Sequence, residues 1–183
     1  MSHNQPTLET IVLGGGCFWC LDAVYRRVEG VTEVVSGYAG GHVPDPSYET
    51  VASKTSGHAE VVKVSFNPAV IPLADILDIF WSMHDPTSKD RQQYDVGPEY
   101  RSIILYSGDE QKQAVEQSLK SAQKLFDKPI VTEVKPLEEF YEASAEHQDF
   151  YNSGQRPDYC QIIIDPKLAK LRAKFTARLK PDA

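Results

Sequence analysis

Gly14-Gly15-Gly16-Cys17-Phe18-Trp19-Cys20 concentrates the residue types that can do covalent chemistry. A short apolar run ends at the glycines and a cysteine opens the next segment. At the start of a helix, such a cysteine meets unpaired backbone N–H groups and the positive end of the helix dipole. Both favour the thiolate, the nucleophilic form, and are expected to lower the pKa of Cys17. Glycines here also let a ligand approach the backbone closely. The plainer alternative is a buried structural cysteine in a glycine turn; the aromatic pair that follows favours function. Cys17 and Cys20 form a Cys-x-x-Cys pair, which alone fits a thioredoxin-like dithiol or half of a zinc site. Zinc needs a second pair of ligands. His84 and His147 stand alone and Cys160 has no partner at that spacing, so no metal site is expected.

Two further groups carry polar chemistry. Ser56-Gly57-His58-Ala59-Glu60 lies where a long loop enters a strand. Glu60 would sit at the core edge, where burial raises a carboxyl pKa and makes a general acid; the plain alternative is a solvated strand-end glutamate. His58 reads as a residue that hydrogen-bonds its own loop. In Tyr94-Asp95-Val96-Gly97-Pro98-Glu99-Tyr100-Arg101-Ser102, tyrosine hydroxyls can donate to a bound oxygen and Asp95 can hold a helper group, or Asp95 simply caps the loop. Tyr48, in an earlier loop, is open in the same way.

These residues need elements to position them. Thr10–Leu13 reads as a strand and Cys17–Val28 as a helix closed by Gly30. Val31–Tyr38 is strand-like. Ala39–Gly57 is a long Gly/Pro/Ser-rich loop, a kind that is usually functional in a compact domain. Ala59–Phe66 alternates, with Val62, Val64 and Phe66 on one side. Leu73–His84 is helical, Asp85–Tyr100 a second long loop, Arg101–Ser107 a strand, and Asp109–Phe126 an amphipathic helix. Val131–Lys135 is a strand, Ser144–Tyr151 a helical piece, Gln161–Ile164 a strand, and Pro166–Leu179 a helix. The first six elements spell β-α-β-β-α-β. That order predicts an α+β fold, a ferredoxin-like split-βαβ two-layer sandwich with additional C-terminal elements. No repeat or linker divides residues 1–183, which read as one catalytic domain.

Composition narrows the partners. Apolar residues make up 41% and charged residues 25% of the chain, an ordinary globular balance. A net charge of −7 argues against a nucleic-acid binder. The locally basic stretch from Arg156 onward reads as a solvated helix face. No apolar run is long enough to span a membrane, and Met1–Thr10 lacks the pattern of an export signal. An odd count of three cysteines fits a reducing cytoplasm better than secretion.

Taken in order, several motifs resemble one family. They are Gly16-Cys17-Phe18-Trp19, Gly37-Tyr38-Ala39-Gly40-Gly41, Tyr48, Gly57-His58-Ala59-Glu60, His84-Asp85-Pro86-Thr87, Asp90-Arg91-Gln92, Asp95-Val96-Gly97, Tyr100-Arg101-Ser102 and Glu146-His147-Gln148-Asp149. Together, over about residues 11–160, they are similar to peptide methionine sulfoxide reductase A. The resemblance implies reduction of the S epimer of methionine sulfoxide, free or in proteins, with Cys17 as nucleophile. It implies Glu60 as proton donor, Phe18 and Trp19 as the methyl slot, Tyr48 and Tyr100 as oxygen-binding hydroxyls, and Asp95 as the loop aspartate. Thioredoxin would restore the enzyme, and neither metal nor organic cofactor is implied. The chain is expected to act as a monomer.

One departure concerns recycling. Cys20 stands where much of the family has glycine, so a sulfenic acid on Cys17 has two candidate partners. Cys160 matches a recycling position used in much of the family and is favoured; Cys20 is one helical turn from Cys17. A relay through both stays open, and the further recycling cysteine of the family's C-terminal tail is not found. Pro98-Glu99 also departs from the more polar neutral pair common there, with an effect expected on substrate preference. The rival readings are a general thiol–disulfide oxidoreductase on Cys17-x-x-Cys20 and a non-catalytic module that binds oxidised methionine.

Overall fold

The computed structural model describes residues 7–183. Of the opening segment read as lacking an export signal, residues 1–6 lie outside the described residues. In chain order the elements are β1 (Glu9–Gly14), α1 (Phe18–Tyr25), β2 (Val31–Ala39), α2 (Tyr48–Ala52), β3 (Ala59–Phe66), α3 (Leu73–Met83), β4 (Arg91–Gln92), β5 (Asp95–Val96), β6 (Ile103–Tyr106), α4 (Asp109–Gln123), β7 (Glu133–Pro136), β8 (Phe140–Glu142), α5 (Phe150–Ser153), α6 (Pro157–Tyr159) and α7 (Asp165–Phe175).

The fold is mixed α/β. Six strands form one sheet in the order β7-β6-β1-β3-β2-β8. All neighbours are antiparallel except β6 and β7. Strand alternation explains how the sheet divides its apolar residues. Ile11 and Leu13 of β1 and Val62, Val64 and Phe66 of β3 point into the main core, with α1, α3, α4 and α7. Their neighbours Val12 and Val61 point to the opposite face, with Ala39, Ala59, Ile103 and Leu105, under Leu137 and Phe140. The helices thus cover one face. The first helix is shorter than its apolar spacing predicted: Cys17 is its N-cap and Arg26 its C-cap.

The glycine run has a specific reason. Gly16 adopts φ +91°, a backbone that L side chains rarely take. A Cβ on Gly15 would lie 2.8 Å from Cγ of His84. The imidazole is wholly packed there, donating from Nδ1 to the Phe80 carbonyl at 2.7 Å and accepting at Nε2 from Ser102 Oγ at 2.7 Å. Burial pulls its pKa down to about 3, so it is a neutral structural histidine.

Two expectations change. Gln161–Ile164 is not a strand. Residues Cys160–Ile164 form a π-helical turn that runs into α7. The burial explains it: Cys160, Ile164, Leu168 and Leu171 are inside at helical spacing, while Ile162 is 66% exposed. The loop at 39–57 contains α2, capped by Ser47 Oγ accepting from Thr50 N at 3.1 Å. Phe140–Glu142, given no element from the sequence, supplies the edge strand β8, paired to Gly37–Ala39 of β2.

Candidate functional site

The site forms where β1 runs through the glycines into α1, with the first residues of β3 beside it. The Phe18 backbone N–H donates to Glu60 Oε1 at 3.1 Å. That bond turns the carboxyl of β3 toward the start of α1. Glu60 is 3% exposed. Its pKa is pushed up to about 8, first by burial; the Phe18 N–H pulls it back, and Asp95 and Glu99 push it further up. At neutral pH it holds its proton.

Cys17 is buried as well. The expected low pKa is corrected here: burial, then the Glu60 carboxyl and Cys20, raise the thiol well above its ordinary value, against the pull of the Trp19 backbone N–H. Loss of hydration outweighs a helix start of a few peptide dipoles. The resting pair is therefore neutral thiol and neutral acid.

Tyr48 and Tyr100 sit close enough to feel both groups. Burial and then Glu60 and Cys17 push the Tyr48 phenol up to about 12, and the same three push Tyr100 higher still. Both remain donors at any working pH. Asp95 is held up by burial and accepts from Tyr159 Oη at 3.0 Å, so the helper group it holds is a tyrosine. That hydroxyl also lies 3.8 Å from Cys20 Sγ. Tyr94, by contrast, is 83% exposed and outside the site.

The two aromatic candidates differ. Phe18 is wholly buried, with its ring 5.6 Å from Tyr38 and 5.5 Å from His147. Trp19 is half-buried, stacked on Phe150 at 3.7 Å and met edge-on by Tyr159 at 5.5 Å. Its Nε1 donates to His147 Nδ1 at 3.3 Å, and the imidazole stacks on Tyr48 at 4.7 Å. His147, Tyr38, Tyr159 and Phe150 were missed as site residues. The signal for His147 and Tyr38 was their place inside two quoted motifs; Tyr159 and Phe150 carried none.

The loops are fixed to the site by polar contacts. His58 Nδ1 accepts from Gly41 N at 3.0 Å, and its Nε2 donates to the Val43 carbonyl at 2.6 Å, as a loop residue should. Glu99 is 1% exposed and paired with Lys54 at 3.1 Å. That pair fastens the loop after α2 to the turn carrying Tyr100. The three cysteines are all free. The π-helical turn that carries Cys160 packs beside α1, and Cys20 is near enough to both other sulfurs to raise the pKa of each.

A thiol near a protonated carboxyl and tyrosine hydroxyls, on a mixed α/β sheet, is an arrangement suited to an oxidoreductase. The family model for peptide methionine sulfoxide reductase matches residues 9–179. The chain belongs to that family. The peptide methionine sulfoxide reductase MsrA of Paenarthrobacter aurescens (strain TC1) is 54% identical over 172 residues, covering 94% of this chain and 99% of the relative. Among solved structures, reduced Mxr1 of Saccharomyces cerevisiae superposes with a TM-score of 0.75 at 31% identity, covering 80% of this chain and 85% of that one. The structure of the same yeast protein in complex with Trx2 gives 0.56 at 26% identity, covering 82% and 89%. Among the described residues no helix is long and apolar enough to cross a membrane.

Proposed function

We propose that the chain reduces the S epimer of methionine sulfoxide, free and in proteins, to methionine, and so repairs oxidised proteins. The observation that carries this reading is Glu60. A buried carboxyl with a pKa of about 8 against a cysteine is an acid poised to protonate an oxygen at neutral pH. The Cys17 sulfur attacks the sulfoxide sulfur, and charge grows on the oxygen as its bond to sulfur weakens. Glu60 gives that oxygen a proton, and Tyr48 and Tyr100 donate hydrogen bonds to it. The thiol proton replaces the one Glu60 has lost. The protonated oxygen then passes to the Cys17 sulfur: the new bond between the two sulfurs and the substrate's S–O bond break as the Cys17 S–O bond forms, so methionine leaves and Cys17 carries the oxygen as a sulfenic acid.

A second thiol then condenses with the sulfenic acid, expelling water and leaving a disulfide. Cys160 is the resolving thiol in this reading, with Cys20 as the alternative or the first step of a relay, since Cys20 bears on both other sulfurs. Thioredoxin reduces the product. Support comes from the Trx2 complex of the yeast relative and from a thiol–disulfide step that needs an external dithiol. Trp19, backed by Phe18, flanks the methyl group, and Asp95 positions Tyr159.

The reading includes one catalytic domain over residues 1–183, acting as a monomer in the cytoplasm, where three free thiols stay reduced. It also includes a split-βαβ core, supported by the strand order β6-β1-β3-β2 for the first four long strands in the sheet. The test is turnover of separated S and R methionine sulfoxide with dithiothreitol. Only the S epimer should react, and Cys17→Ser should abolish it. Insulin reduction without sulfoxide turnover would instead establish a general dithiol oxidoreductase.

A further inference from the structure

A cavity of about 440 Å³ opens beside the site, sharing Tyr38, Tyr48 and His147 with it. Its rim carries three exposed carboxylates, Glu49 on α2, Glu142 at the end of β8, and Glu146 in the turn before α5. Among the described residues, neither Glu49 nor Glu142 has a cationic partner, and Glu146 meets only the His147 imidazole, at 3.8 Å. Burial holds that imidazole below its ordinary pKa, and so neutral. The acidic rim is therefore without a counter-charge of its own.

An independent feature points to an occupant. Tyr38 lines the same cavity and is 2% exposed, yet its hydroxyl has no hydrogen-bond partner among the described residues. A buried hydroxyl without a partner is costly, and such atoms are rare in folded proteins. After burial, the groups that bear on this phenol are Glu60, Tyr48 and Glu49, in that order. Tyr38 stands opposite Glu60 in the β2–β3 ladder and lines the cavity with Glu49, so it joins the Glu60 end of the site to the acidic rim.

From this geometry we infer that the cavity is a substrate subsite for a lysine or arginine side chain close in sequence to the oxidised methionine. The Tyr38 hydroxyl donates to the peptide backbone on the way, and Glu49, Glu142 and Glu146 receive the cation. This deepens the proposed reductase reading and rests on it. The subsite makes the enzyme selective for oxidised methionine in basic sequence, an effect on peptides that free methionine sulfoxide does not feel.

The test compares kcat/KM for short peptides in which methionine sulfoxide is flanked by lysines, by serines or by glutamates. Each value is referred to the same enzyme's value on free methionine sulfoxide. The wild type should favour lysine over glutamate flanks by roughly tenfold at low salt, as expected for several partly exposed charge pairs. Added salt should shrink that ratio. The triple variant E49Q/E142Q/E146Q should bring it near unity. A second triple variant, E29Q/E110Q/E116Q, removes the same net charge from other exposed positions and should leave the ratio as in wild type. No preference in the wild type, or equal loss in both triple variants, overturns the subsite. Failure of the reductase reading looks different: free methionine sulfoxide itself is then not turned over.

Discussion

The backbone N–H of Phe18 donates to Glu60 Oε1 at 3.1 Å, across 42 residues of sequence. The residue after the proposed nucleophile thus holds the proposed acid, and one oxygen of the carboxyl is occupied by the backbone. The other is left for the reaction.

The pH dependence follows from that carboxyl. Its pKa of about 8 in the folded chain lies above the ordinary 4.5. Reductase activity with dithiothreitol should therefore hold at neutral pH and fall as pH rises through about 8, where the acid loses its proton. Glu60→Gln keeps the Phe18 contact but cannot give up a proton as an acid does; it should lose roughly a hundredfold in kcat, with that alkaline limb removed. Glu60→Ala should lose more. Equal losses and an unchanged pH limb would remove Glu60 from proton transfer. The same shift bears on stability. Between 4.5 and about 8 the folded carboxyl keeps a proton that the unfolded chain has released, so this group's contribution to stability falls as pH rises across the window. Denaturant midpoints at both ends should show the slope in wild type and its reduction in Glu60→Gln.

The cysteines separate by electron donor. Cys17→Ser should be inactive with either dithiothreitol or thioredoxin. Cys20→Ser and Cys160→Ser should each form the sulfenic acid and turn over with dithiothreitol. With thioredoxin, the variant lacking the resolving thiol should stall after one turnover, and dimedone labelling at Cys17 should accumulate in it, read by mass spectrometry. Failure of both variants with thioredoxin would establish the relay. Full thioredoxin-driven activity in both would remove each as an obligatory resolving thiol.

His147 should act on binding through its neighbours. It accepts from Trp19 Nε1 and stacks on Tyr48. Its loss frees one wall of the site and one proposed oxygen donor. His147→Ala should raise KM for free methionine sulfoxide about tenfold, from one hydrogen bond and one aromatic contact. His147→Gln, which keeps an acceptor, should recover part of this. Trp19 fluorescence should shift in the alanine variant even without substrate. An unchanged spectrum and KM would count against the role.

Much of this was legible in local pattern. The alternation at Val62, Val64 and Phe66 located a core strand, but the place of Glu60 at that strand's start reads by itself as a solvated glutamate, and only the fold buries it. Local rules failed where tertiary burial decides. Cys17 reads as a thiolate from its helix start, yet burial and Glu60 raise its pKa. Three isoleucines at Ile162–Ile164 read as a strand, but only Ile164 is wholly inside and the period is helical. Contacts such as Trp19 with His147, separated by 128 residues, leave no mark in spacing. Nor does Tyr159, which is brought to Asp95 over 64 residues by the turn before Cys160.

Asp22 is the polar tie behind the site. It is 1% exposed on α1 and accepts from Arg26 Nε at 2.5 Å, Ser36 Oγ at 3.1 Å and the Asp149 backbone N–H at 3.3 Å. It thus joins α1 to β2 and to the segment that follows His147. Burial raises its pKa while these donors pull it back, so the buried carboxyl depends on them and they on it. Asp22→Ala leaves Ser36 Oγ and one guanidinium edge without their acceptor and opens a polar void. The expected cost is about 2–3 kcal/mol, seen as a lower denaturant midpoint. Because Asp149 loses its anchor, the His147 segment should also loosen, with faster amide exchange at 147–149 than at β1. A stability loss confined to global unfolding, with protection at 147–149 intact, would break the link between this ion pair and the site wall.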